Sequence, residues 1–353
     1  MISKETVLSV LSQIKHPRQS TDIVAAGAVE NVQINGGNVV ITLSINAQEA
    51  DVMEEVRKRC EADTLNIDGV TRVRAIMTSK RPAAKAPAHT PAPKPKPMKG
   101  VKFVIAVASG KGGVGKSTTS VNLAYALQKK GLKVGLADCD VYGPSASILL
   151  GVKSGPQFTD DDRILPVNSN GVLAISMSFL VDDGTAAIWR GPMVISAIQQ
   201  FLNGVAWDID GPLDVLICDL PPGTGDVQLT LAQTVNVAGA ILVSTPQDLA
   251  LIDALKAYDM FQKTNTPILG LIENMSQFVC PHCGEPSDIF GHGGAKETAR
   301  QIGIPYLGSV PLHMRIRESA DAGAPIVLAA PESEQAAAYT AIAERVLASL
   351  TQR

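Results

Sequence analysis

Three groups of side chains have chemistry to offer. Lys111 and Lys116 share a glycine-rich loop, Asp138, Asp140 and Asp219 close two apolar runs, and Cys280 and Cys283 form a C-x-x-C. The loop, Gly110-Lys111-Gly112-Gly113-Val114-Gly115-Lys116-Ser117 with Thr118 behind it, fits the pattern G-x-x-x-x-G-K-[ST]. Such a loop aims backbone N–H groups and a helix N-terminus at one point, which suits a polyphosphate. Lys116 would reach the β- and γ-phosphates, and the Ser117 hydroxyl would bind Mg²⁺. The flanks agree: Phe103 to Ala108 reads as a buried strand, and 118–130 as a helix with Val121, Leu123, Ala124 and Leu127 inward.

The acids sit at strand ends. The run from Lys133 closes on Asp138-Cys139-Asp140, a pair that would either handle metal and water or cap the next helix. Leu213 to Asp219 ends in one acid, which would hold Mg²⁺ through water because that ion keeps part of its hydration shell. Leu220-Pro221-Pro222-Gly223-Thr224-Gly225-Asp226 is a stiff loop whose N–H groups near Gly223 would sense a γ-phosphate. After the apolar run 267–272, Asn274 offers an amide donor and acceptor that fit an adenine edge, or would cap a turn.

Cys280-Pro281-His282-Cys283 fits a redox dithiol, half a zinc site or half a cluster site. Its place in a loop after Gln277-Phe278-Val279 argues against the redox dithiol. A 4Fe–4S cluster generally takes four thiolates, and a two-fold dimer would bring two such pairs together. An intersubunit zinc site competes, with His282 and His292 as spare ligands or plain surface residues. Cys60 and Cys218 read as packing.

These groups need a scaffold, and the chain can supply one. Its 353 residues hold one large core and a smaller domain. A net charge of −3 and 4% aromatics give no footprint for nucleic acid. No apolar run approaches a membrane span, Met1-Ile2-Ser3-Lys4-Glu5 does not read as a signal peptide, and five cysteines suggest a reducing cytoplasm. From 101 to 353, strand-like runs at 133–138, 172–176, 213–219, 239–245 and 267–272 alternate with helix-length segments. That order predicts an α/β fold, a mostly parallel sheet covered by helices on both faces, with active groups at the carboxyl ends of the strands.

Residues 1–80 read as a small α+β unit. Val7, Leu8, Leu11 and Ile14 mark a helix, 29–34 and 39–45 paired strands around Asn35-Gly36-Gly37-Asn38. Val52, Met53, Val56 and Cys60 mark a second helix, and 70–76 a last strand. Residues 81–100, rich in Pro, Ala and Lys, read as an extended tether.

The second loop lysine, Lys111, makes the loop resemble the deviant Walker A of MinD-like, ParA-like and nitrogenase-reductase-like ATPases. In that class the extra lysine crosses a two-fold interface to the partner's nucleotide. Taken with D-C-D-V-Y-G-P-S, D-L-P-P-G-T-G-D, E-N-M-S and C-P-H-C in that order, residues 100–350 resemble the Mrp/ApbC-type iron–sulfur cluster carrier ATPases. The resemblance implies a P-loop NTPase fold, Asp140 acting on the attacking water, Asp138 supporting the metal shell and Asn274 against the base. It implies a homodimer that uses ATP while holding a labile cluster for apo-proteins and assembly factors, without membrane or nucleic acid. Residues 1–80 resemble the small iron–sulfur assembly domain often fused ahead of such carriers. That family often has a reactive cysteine near the second helix; Ile45 to Asp51 has none, which leaves an interaction module. The competing reading is a MinD/ParA-like positioning ATPase with a structural zinc at the C-x-x-C. The alanine-rich stretch 335–350 lacks the basic amphipathic face a membrane anchor needs. An electron-donating reductase would carry widely separated cluster cysteines rather than a C-x-x-C.

Overall fold

A computed structural model describes residues 2–35, 37–46, 50–80, 95–140, 143, 145–152, 157–179, 191–280 and 282–351. Expectations that touch 36, 47–49, 81–94, Val141, Tyr142, Pro144 or Pro281 lie outside these residues. The chain divides into two compact units, 1–92 and 93–353.

In the first unit α1 (Lys4–Leu11) and α2 (Ala50–Leu65) pack on a sheet of β1 (Val29–Asn35), β2 (Asn38–Asn46) and β3 (Arg72–Lys80). Ser3 starts α1, its hydroxyl accepting the Thr6 N–H at 3.2 Å. β1 and β2 form an antiparallel pair, and α2 crosses over to bring β3 parallel to β2. On α2, Met53, Val56 and Cys60 lie on one buried stripe, whereas Val52 is 40% exposed because one residue back is about 100° round the helix. Burial, and then the Asp63 carboxylate, push the Cys60 thiol up to about 12.

The second unit runs β4 (Val101–Ala108), α3 (Lys116–Lys129), β5 (Val134–Asp138), α4 (Ala146–Leu150), β6 (Gln157–Phe158), β7 (Ile164–Leu165), β8 (Val167–Ser169), β9 (Val172–Ser176) and α5 (Gly191–Asn203). It continues through β10 (Leu213–Asp219), α6 (Asp226–Thr234), β11 (Val237–Ser244), α7 (Asp248–Lys263), β12 (Ile268–Val279), β13 (Pro286–Ser287), α8 (Gly294–Ile302) and β14 (Tyr306–Leu312). Helices α9 (Met314–Asp321), α10 (Ile326–Ala329) and α11 (Glu334–Thr351) close it.

Strands β9, β5, β10, β4, β11, β12 and β14 are parallel in that order, with β8 and β13 antiparallel at the rims. The central strands are near-continuous Val, Ile, Leu and Ala, as burial on both faces demands. Helices flank this sheet, so the α/β expectation holds. The strand β14 goes beyond the sequence pattern. Its Gly308, Ser309 and Pro311 break the apolar run, which an edge strand tolerates. The terminal helix α11 buries Ala336, Tyr339, Ile342, Ala343, Val346 and Leu350 against α3 and β14. Among the described residues no helix is long and apolar enough to cross a membrane. Pairing register sets Asp219 beside Asp138 on one side and Val107 on the other, so the loop after β4 and both acidic strand ends meet.

Candidate functional site

The loop between β4 and α3 surrounds a pocket of about 250 Å³. Ser109, Lys111 to Thr118, Asp140, Ser145, Leu149 and Pro222 line it. Two glycines are dictated by space as much as by conformation. A Cβ on Gly110 would lie 2.0 Å from the Asp253 carbonyl carbon of α7. Gly115 has φ 78°, and a Cβ there would meet the Asn274 amide nitrogen at 2.1 Å. The loop is thus held between α7 and β12.

Lys116 is 6% exposed and folds back, its Nζ 2.8 Å from Asp219 Oδ1 and 3.1 Å from Ser117 Oγ. Ser120, one turn along α3, donates its hydroxyl to the same Asp219 oxygen at 2.7 Å. A phosphate arriving in the pocket would therefore compete with Asp219 for the ammonium, freeing the carboxylate to face a metal. Lys111 lines the pocket, and among the described residues its ammonium has no ion-pair partner.

The two aspartates of the D-x-D part company. Asp140 reaches the pocket, with one oxygen accepting the Gly143 N–H at 3.2 Å. Asp138 stands behind it, 1% exposed, accepting the N–H groups of Asp140, Ser145 and Ala146 and the Ser176 hydroxyl. Of the two roles open to an acid here, Asp138 has the geometry of a cap on α4. Burial, and then the neighbouring Asp219 charge, push its carboxyl up to about 6. Cys139 and Cys218, each next to a strand-end acid in sequence, are buried; contact with Cys218 and then burial raise the Cys139 thiol.

Gly223 is tied to the loop rather than open: its N–H donates to the Ser109 carbonyl at 2.8 Å. Gln228, fully buried at the start of α6, clamps the same stretch. Its amide donates to the Pro221 and Gly223 carbonyls, and its oxygen accepts the Gly225 N–H. Sequence reasoning passed over Gln228, although a glutamine three residues into a helix is the capping-box position. It also passed over Ser120 and Ser176, and it met Ser145 only as the last residue of the D-C-D-V-Y-G-P-S run, without a role. The Ser145 hydroxyl is buried without a hydrogen-bond partner among the described residues, which leaves it for a ligand in the pocket it lines.

Asn274 is 6% exposed and donates its amide to the Val114 carbonyl at 2.8 Å. It is outside the pocket lining, pressed on the loop from behind. One residue on, Met275 has φ 56°, a left-handed conformation that costs a non-glycine residue about 1–2 kcal/mol. Strand β12 then continues to Val279, and a hairpin to β13 carries the cysteines. In that turn Cys280 donates its N–H to the Glu285 carbonyl, and Gly284 donates to the Cys280 carbonyl. The N–H groups of Cys283 and His282, then the Cys283 thiol, hold the Cys280 thiol below its ordinary range. Cys283 is exposed, and all five cysteines are free. His292 lies 3.6 Å from Asp288, and among the described residues no three metal-binding side chains gather in one place.

A family model described as NUBPL iron-transfer P-loop NTPase matches residues 100–347, and one described as iron–sulfur cluster assembly protein matches residues 4–75. The chain belongs to the iron-transfer P-loop NTPases. The iron–sulfur cluster carrier protein of Deinococcus radiodurans is 43% identical over 350 residues, covering 99% of this chain and 96% of that one. Among solved structures, a nucleotide-binding protein in complex with ADP from Archaeoglobus fulgidus is 40% identical, with a TM-score of 0.56, covering 64% of this chain and 87% of that one. The cell division ATPase MinD of Pyrococcus furiosus matches with a TM-score of 0.53 at 24% identity over 70% of this chain and 98% of that one; there the likeness is of fold. As an iron-transfer P-loop NTPase the chain is an ATP hydrolase by family.

Proposed function

We propose that this chain holds a labile 4Fe–4S cluster between two copies of itself and delivers it to apo-proteins, with ATP binding and hydrolysis in control. The Cys280 to Gly284 turn carries the reading. It presents two thiols per chain outside the core, and backbone N–H groups favour the thiolate that ligates iron. Two turns across a two-fold axis supply four ligands. Lys111 supports the same axis, since an unpaired cation beside the pocket suits a partner's phosphate. On α7, packed against Gly110, Leu249 and Ile252 are 72% and 51% exposed, apolar surface that a second copy would cover.

In the pocket, Lys116 takes the β- and γ-phosphates and Asp140 orients or deprotonates the attacking water. Ser117 and Asp219 are the residues that would hold Mg²⁺, and the orphaned Ser145 hydroxyl supports a liganded pocket. Mg²⁺ there neutralises phosphate charge. Asp138 shapes the approach by holding Asp140 and α4. Gly223 reports on the γ-phosphate by exchanging its bond to Ser109. For Asn274 to read a base, its bond to Val114 must open first. Residues 1–80 act as the docking module for acceptors and assembly factors, and the work is done in the cytoplasm. The expected tether 81–100 gives way from Lys96 on to chain packed in the second unit, where Asn236 donates its N–H to the Lys96 carbonyl and Met98 is buried.

Anaerobic reconstitution tests the proposal. About four irons and four sulfides per dimer are expected, together with transfer to an apo-acceptor. Protein that binds zinc only, or keeps full iron after both thiols are removed, overturns it in favour of a positioning ATPase with structural zinc.

A further inference from the structure

One strand joins the two sites. β12 presses Asn274 on the nucleotide loop, kinks at Met275, and delivers Cys280 at its far end. The contact at the loop end is close. Asn274 donates to the Val114 carbonyl at 2.8 Å, and a Cβ built on Gly115 would lie 3.8 Å from the Met275 methyl carbon. Gly115 is the residue before Lys116, so a loop that reshapes around phosphates moves the carbonyl that Asn274 holds. Beyond the kink the strand is re-anchored: Ser276 donates its hydroxyl to the Val310 carbonyl at 3.1 Å, and the pairing with β14 slips between Asn274 and Phe278. A left-handed, non-glycine residue at such a slip is backbone strain of the kind that collects at switch regions.

We infer that Asn274 and Met275 form a latch through which occupancy of the nucleotide loop sets the geometry of the Cys280–Cys283 turn. This rests on the carrier reading for its purpose, since the latch would decide when a cluster is held and when it is released. Asn274 is a positioning residue: with the loop in one shape its amide fixes the strand, and with the loop in another it lets the kink relax. The turn keeps its own hydrogen bonds, Cys280 N–H to Glu285 and Gly284 N–H to Cys280, so it moves as a unit. Coupling of this kind runs both ways, and thiol ligation must in turn alter nucleotide affinity.

The test needs no cluster. Native apo-protein is treated with iodoacetamide at saturating Mg²⁺ and non-hydrolysable ATP analogue, or without nucleotide, and each cysteine is followed by peptide mass spectrometry. Cys60, Cys139 and Cys218 are buried and serve as unreactive references. The expected result is a change of about fivefold or more in the Cys280 and Cys283 rates on adding nucleotide, the lower end of ordinary coupling between sites. Asn274→Ala, compared with and without nucleotide at concentrations raised until its own loop is saturated, should lose that change. Met275→Gly, which frees the kink to pivot, should blunt it while folding normally. Unchanged rates in the unmutated protein, or a full response in either variant, overturn the latch. Reconstitution run in parallel separates the two ideas: a nucleotide response without iron binding keeps the latch and sinks the carrier reading, and iron binding without a response does the reverse.

Discussion

The loop end and the cysteine end of β12 are built in opposite ways. Around the loop nearly every group is engaged: Lys116 with Asp219 and Ser117, Asn274 with Val114, Gly223 with Ser109, and Gly110 flush against α7. The cysteine turn leans on little beyond itself, with Cys283 exposed and no Cβ at Gly284 meeting an atom within 4 Å. Preorganised donors suit a ligand bound again and again in one geometry. An exposed, locally stabilised thiolate pair suits a cargo that must leave. The contrast separates a machine part from a loading dock within about a dozen residues of chain.

The largest effects come from removing the chemistry at each end. Lys116→Ala deletes charge-assisted contacts worth about 1.5–3 kcal/mol each, so two lost contacts lower hydrolysis by roughly 10²- to 10⁴-fold. It also strands Asp219 beside Asp138 without a cation, and thermal unfolding should record that as well. Cys280→Ala or Cys283→Ala should abolish the brown chromophore with ATP turnover standing, whereas changes at Cys60, Cys139 and Cys218 should keep it. Cluster loss in Lys116→Ala and turnover loss in Cys280→Ala together would show that the two ends are one site.

A pair of glycine substitutions sharpens the structural side of the contrast. In Gly110→Ala the added methyl meets α7 backbone 2.0 Å away, and overpacking there should cost about 3 kcal/mol or more. In Gly284→Ala the only penalty is φ 74°, about 1–2 kcal/mol and confined to the turn. Chemical denaturation distinguishes them; equal losses would mean that the cysteine turn is as tightly built as the loop.

How much of this the sequence disclosed follows the same divide. The loop was fully legible, because glycines and a lysine at fixed spacing answer to one backbone task. The fold was legible from apolar runs, up to their edges. β12 read as ending at Ile272, yet it continues through Glu273, Asn274, Ser276 and Gln277, polar residues that look like loop until a neighbour pairs with them. The two acids of the D-x-D could not be told apart by type; burial and the N–H groups of Ser145 and Ala146 separate Asp138 from Asp140. Gln228 carried a local signal, the capping-box position three residues into α6, with its partners only three to seven residues away. Ser120 gave none, since a single polar residue has no period and its partner lies far off in sequence. For Ser120 that partner, Asp219, is 99 residues away.

Gln228 supports the loop end from outside the pocket, and its effect should be intermediate. Gln228→Ala removes bonds to Pro221, Gly223 and Gly225 inside a buried site, an expected loss of about 1–3 kcal/mol in stability. Because Gly223 would then hold Ser109 less firmly, hydrolysis should fall more than nucleotide affinity. A variant with affinity and turnover reduced equally would mean that Gln228 serves the ground state alone.

The smallest effect concerns the charge state of the thiols, and it tests the turn directly. Cys280 is drawn down by the N–H groups of Cys283 and His282, while Cys60, in the other unit, is pushed up by burial. A lowered pKa favours thiolate, the form that is alkylated and binds metal. As pH falls through the range where an ordinary thiol protonates, about 8.5, Cys280 should lose its reactivity later than that thiol does. Cys60 should stay silent until the fold opens. For Cys60 the linkage sign is opposite: its folded value of about 12 exceeds the ordinary 9.0, so its contribution to stability is present below pH 9 and lost as pH rises towards 12. Iodoacetamide rates measured peptide by peptide across that range provide the check. If Cys280 titrates at or above an ordinary thiol, the N–H groups are not aimed at its sulfur, and the turn is no more prepared for iron than any exposed pair of cysteines.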